Sequence, residues 1–107
     1  MSPAPPLLIE HFAPLARDYD ALLCDVWGVV HNGLAAFPET CAALKQFRQD
    51  GGSVVLISNA PRPGAGVIRM LDRLGVARSA YDRIVTSGDV TREFVARRGG
   101  HVYHLGP

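Results

Sequence analysis

The chain has 107 residues, of which 48% are hydrophobic and 20% charged, and its eleven basic and ten acidic side chains leave a net charge of +1. That length and balance allow one small globular domain and exclude a disordered or collagen-like chain. They also exclude a clustered basic face for nucleic acid, because Arg97-Arg98 is the sole basic doublet.

Residues 1–19 read as an N-terminal arm and lead-in helix, beginning with the proline-rich SPAPP at 2–6. The opening MSPAPPLLIEHF has neither the basic nor the long apolar region of a secretory signal. No window approaches the roughly 18 apolar residues of a membrane span, so no membrane partner is expected. Cys24 and Cys41 are the only cysteines. Too few for a disulfide framework, they point to free thiols and a cytoplasmic location.

From residue 20 onward two periodicities alternate. LLCDV at 22–26 is an apolar run broken by one acid and predicts a strand buried on both faces. ETCAALKQFRQD predicts a helix with Leu44 and Phe47 on one face, Pro38 near its start and Gly51-Gly52 at its end. SVVLIS at 53–58 predicts the second strand, and PGAGVIRMLDRLG a helix with Val67, Leu71 and Leu74 inward and Gly75 as a left-handed cap. DRIVTS at 82–87 predicts a third strand. In the helix that follows, Val90 and Phe94 share a face, Asp89 and Glu93 lie towards the positive end of the dipole, and Arg97 and Arg98 lie at the negative end. HVYHL at 101–105 predicts a fourth strand. This order implies an α/β fold, a Rossmann-like three-layer core with a mostly parallel sheet and right-handed crossovers.

Ligands of such sheets bind beyond the carboxyl ends of the strands. The first strand reaches that edge at Asp25 and the second at Ser58-Asn59. An aspartate there loses hydration and needs a cation or several donors to stay ionised. Ser58, Asn59 and the amides opening the next helix form a candidate phosphate cradle. The bland alternatives are a loop-capping aspartate and a simple helix-entry turn.

A strand ending in Asp25, then Gly28-Val29-Val30 and Gly33, then LISNAPRP, then IVTSGD, resembles the haloacid dehalogenase (HAD) superfamily, in particular its NagD-like, class IIA, p-nitrophenyl phosphatase-like hydrolases. The resemblance runs from about residue 20 to the end and implies the amino-terminal part of a HAD-like core, incomplete without a cap and the later motifs. It implies a phosphohydrolase that acts on small phosphorylated substrates with Mg2+. Asp25 would be the nucleophile and a magnesium ligand, and the Trp27 backbone carbonyl a second ligand. Ser58, Asn59 and, as a weaker match, Arg62 would bind the phosphoryl group.

Two departures qualify this. The family's acid/base aspartate two residues after the nucleophile is here Trp27, whose indole cannot shuttle a proton at neutral pH. His31 is a conceivable replacement, although a solvent-exposed turn histidine is the plainer expectation. No lysine matches the family's later motif, since the only one, Lys45, falls within a predicted helix. Asp89 and Glu93 imitate the acidic motif but read mainly as helix caps. His11, His101 and His104 are scattered, and Cys24 reads as core. The alternatives are a non-catalytic phosphate- or partner-binding module and, fitting less well, a receiver-like domain. An exposed sheet edge also suggests a homo-oligomer.

Overall fold

The structure, a computed structural model, describes residues 2–106. After a short helix, α1 (Ala13–Ala16), come β1 (Ala21–Asp25), α2 (Pro38–Gln49), β2 (Ser53–Ser58), α3 (Gly64–Leu74), a 3-10 turn (Arg78–Ala80), β3 (Arg83–Thr86) and α4 (Ser87–Arg98). The sheet is parallel throughout in the order β1-β2-β3. Parallel neighbours need a crossover, and α2 and α3 supply one each.

β2 is the central strand, and Val54 and Leu56 on it are completely buried. They join Leu22 and Cys24 of β1 in one apolar layer with Leu44 and Phe47 of α2 and Val67 and Leu71 of α3. Each helix thus turns the apolar face predicted for it onto the sheet. α2 starts on Pro38, which needs no amide partner at the first helical position. It stops where Gly52 passes so close to the Phe47 ring that a Cβ would lie 2.1 Å from it. α3 ends at Gly75 in the left-handed conformation. At the amino end of the sheet Asp82 accepts from the Val54 amide at 2.7 Å and pairs with Arg48 at 2.8 Å. The Val54 hydrogen bond, then Arg48, holds the Asp82 carboxyl below its ordinary range.

Three expectations need correction. β1 ends one residue early, because Val26 leaves the ladder and turns inward, its carbonyl accepting from the amides of Val29 and Val30. The strands are not covered on both faces: Leu23 is 72% exposed, and Ile57 and Val85 are each 41% exposed. Both crossover helices pack on the other face, and α4 contacts β3 while leaving Val90 and Phe94 in solvent. Finally, 101–105 forms no strand. Gly99 and Gly100, both at positive φ, lead the chain away from α4, and Val102, Tyr103 and Leu105 are left exposed without a ladder.

Candidate active site

The parallel register decides what can meet. Asp25, the last residue of β1, pairs with Ile57, and Ser58 follows directly on β2, paired with Thr86 on β3. Asp25 and Ser58 therefore share the carboxyl edge of the sheet on adjacent strands. Strand alternation places them on different faces: Asp25 with Leu23 and Ile57, Ser58 with Leu56 and Thr86. A group touched by both lies beyond the strand ends, over the edge.

Asp25 is exposed, and its Oδ1 accepts from the Val26 amide at 2.9 Å. The described hydrogen bonds leave its Oδ2 free. Behind it the chain reverses through residues 26–33, where Gly28 and Gly33 adopt φ of 81° and 87°, a region unfavourable for a side chain. The Gly28 amide donates to the His31 carbonyl at 2.7 Å, closing the loop. The Trp27 ring is 67% exposed and lies against Gly33, with Nε1 3.5 Å from where a Cβ would stand. It meets the His31 ring nearly edge-on at 6.4 Å.

His31 overturns its expected exposure, being only 1% accessible. Its Nδ1 accepts from the Gly33 amide at 2.9 Å, which assigns the ring proton to Nε2, a buried atom without a partner among the described residues. The imidazole is a spacer and acceptor inside the turn. Sequence reasoning missed this because a histidine next to Asn32-Gly33 has the composition of a surface turn.

On β2 the half-buried Ser58 accepts at Oγ from the Ala60 amide at 3.1 Å, so its hydroxyl proton remains available to a ligand. Asn59 is exposed. Arg62 is also exposed, and its guanidinium lies 3.6 Å from the Met70 sulfur on α3. Part of the helix-start cradle is already occupied: Gly64 donates to Asp89 Oδ2 at 2.8 Å, and the amides of Gly66 and Val67 turn to the Pro63 carbonyl. Asp89 is thus a cap, but of α3 and not of its own helix. α4 is capped by Thr86, whose Oγ1 accepts from the Asp89 amide at 3.0 Å. Glu93 is paired with Arg97 one turn on.

Asp25 also lines an apolar groove of about 370 Å³ along the open edge of β1, with Leu22, Leu23, Cys24, Val29 and Leu44. Ser58, Asn59 and Arg62 are outside it. A larger groove of about 610 Å³, lined by Phe12, Arg17, Tyr19 and Asp50, opens beside Asp20 at the start of β1, remote from Asp25. Burial pushes the Cys24 thiol up, and the charges of Asp25 and Cys41 add to the effect.

The donors fit part of a magnesium site. Asp25 Oδ2 and the Trp27 carbonyl, on which none of the described loop hydrogen bonds ends, are hard oxygens two residues apart. No cluster of three His, Cys, Asp or Glu occurs among the described residues. The remaining positions would fall to water and a phosphoryl oxygen, as magnesium commonly accepts.

A parallel sheet with an aspartate and a Ser-Asn pair at one carboxyl edge defines a Rossmann-like α/β core. A family model described as haloacid dehalogenase-like hydrolase matches residues 22–107. The chain belongs to that family. It is 50% identical to a haloacid dehalogenase-like family hydrolase from Brucella suis 1330 whose crystal structure superposes with a TM-score of 0.77, over 82% of this chain and 34% of that one. The chain thus spans about a third of that protein's length. No curated protein matches. No described helix is long and apolar enough to cross a membrane.

Proposed function

We propose that the chain carries the nucleophile of a NagD-like, class IIA phosphohydrolase that acts on small phosphorylated substrates with magnesium. One observation carries the reading: the free oxygen of Asp25 and the hydroxyl of Ser58 stand at the same edge of adjacent parallel strands. In the reaction, Asp25 Oδ2 attacks phosphorus in line with the ester oxygen. The P–O bond to the leaving group breaks, and an aspartyl-phosphate forms. Ser58 and the Asn59 amide group donate to phosphoryl oxygens, with Arg62 as the nearby cation. Water then attacks phosphorus, releases inorganic phosphate and restores the carboxylate. Bound magnesium would neutralise phosphoryl charge at Asp25 and the Trp27 carbonyl.

The leaving oxygen must take its proton from water or a group outside these residues, because the Trp27 indole supplies none and His31 is enclosed in its turn. Proton transfer is therefore the weak step of this stretch of chain, and turnover by the 107 residues alone is expected to be very low. The two free thiols suit a reducing cytoplasm. The edge of β1, unpaired among the described residues, suits pairing with another copy.

Beryllofluoride with magnesium tests the reading. Fluorine NMR should show a bound signal that disappears in Asp25→Asn. Tryptophan at position 27 favours a second reading, a phosphate-binding module without chemistry. A protein that binds inorganic phosphate but gives no beryllofluoride adduct would establish the module and remove the enzyme.

A further inference from the structure

The segment that follows Ser58-Asn59 is tied to its own helix only at the Pro63 carbonyl, which accepts from Gly66 and Val67, and at the Arg62 guanidinium beside Met70. Its remaining anchors come from the start of α4, a stretch not assigned to the phosphoryl site. Gly88 donates its amide to the Ala60 carbonyl at 3.1 Å. Thr86, only 1% exposed, donates its hydroxyl to the Arg62 carbonyl at 2.7 Å while the same oxygen accepts from the Asp89 amide. Asp89 Oδ2 takes the Gly64 amide at 2.8 Å. Three successive contacts thus grip residues 60, 62 and 64. The backbones touch as well: a Cβ on Gly88 would lie 2.4–2.6 Å from the Arg62 backbone, and one on Gly64 would lie 2.6 Å from Asp89 Oδ2.

A loop containing Pro61 and Pro63 has few amides with which to fix itself. The outside contacts therefore set its path, and that path sets the direction in which Asn59 and the Ser58 hydroxyl present their donors. We propose that Thr86 and Asp89 are positioning residues for the phosphoryl-binding loop, a clamp that holds 59–64 in its binding conformation without touching the ligand. This rests on the phosphate-binding role given above to Ser58 and Asn59.

Titration of the 107-residue chain with inorganic phosphate in the presence of magnesium, followed by the amide NMR shifts of Ser58, Asn59 and Ala60, tests it. Thr86→Val and Asp89→Ala should weaken phosphate binding by about tenfold or more, because misplaced donors lose most of their effect. Thr86→Ser and Asp89→Asn keep the acceptors and should bind within about threefold of the parent. Phe47→Leu, on the far side of α2, serves as the control for lost stability: it should lower the melting temperature and leave binding unchanged. Equal phosphate affinity in the parent, Thr86→Val and Asp89→Ala overturns the clamp and leaves the site standing. The clamp also falls if the conservative variants fail as badly as the others, or if Phe47→Leu weakens binding to the same degree. A parent chain whose Ser58 and Asn59 amides ignore phosphate removes the site itself, and the clamp with it.

Discussion

Gly88→Ala places one methyl group where two backbones already touch. Its Cβ would stand 2.4 Å from the Arg62 carbonyl oxygen, against the 3.4 Å at which ordinary contact begins, and the Arg62 peptide must retreat by about 1 Å. Overpacking of that kind costs about 1–3 kcal/mol. The retreat also stretches the Gly88 to Ala60 and Thr86 to Arg62 hydrogen bonds, worth ~0.5–1.5 kcal/mol each. The expected loss is therefore about 2–6 kcal/mol, a large share of the roughly 5–15 kcal/mol that holds a domain of this size. Urea denaturation followed by far-ultraviolet circular dichroism measures it. With a slope of about 1–2 kcal/mol per molar urea the midpoint should fall by at least ~1 M. Ser87→Ala, at the exposed neighbouring position, should stay within about 0.5 kcal/mol of the parent. A Gly88→Ala protein with an unchanged midpoint and slope would refute the close approach and the clamp geometry built on it.

Leu71→Ala, at a fully buried position on α3, should lose about 2–5 kcal/mol in the same urea assay. His31→Ala should cost about 2–4 kcal/mol through the cavity and the Gly33 amide left without its acceptor, whereas an exposed turn histidine would cost almost nothing. The Asp82 carboxyl titrates lower in the folded chain than in the unfolded one, so its stabilisation is present above the ordinary carboxylate range and is lost as pH falls through its depressed value. Asp82→Asn should accordingly flatten the acid limb of a plot of melting temperature against pH. Cys24, its thiol raised by burial, should react with iodoacetamide at pH 8 more slowly than a free thiol of the same concentration, and faster as pH rises; mass spectrometry of the labelled peptide reads both.

The strands and long helices were legible because each carries its own period and its own stop. SVVLIS became β2 at the predicted residues, and α3 ended on Gly75 as its cap required. What depends on partners distant in sequence was not legible. HVYHL has the composition of a strand, but a strand exists only where a ladder receives it. The open sheet face follows from where the two crossovers run, which local apolarity does not encode. At the site, Asp25 and Ser58-Asn59 could be placed at one edge from parallel topology alone. The role of Asp89 could not, since its partner Gly64 is 25 residues away and Asp89 has the sequence context of a cap for its own helix. The Trp27 ring lies on Gly33 and stays 67% exposed two residues after Asp25.

The spatial sequence of strands in the sheet copies their sequence in the chain. Among the described residues, each strand after the first therefore has a neighbour that was translated before it. Synthesis at ~5–20 residues per second is slow compared with loop closure, so the sheet can grow in one direction as the polypeptide emerges. Strand order among the described residues thus permits vectorial growth, with Asp25 translated before the 59–64 loop and before the Thr86 and Asp89 that grip it.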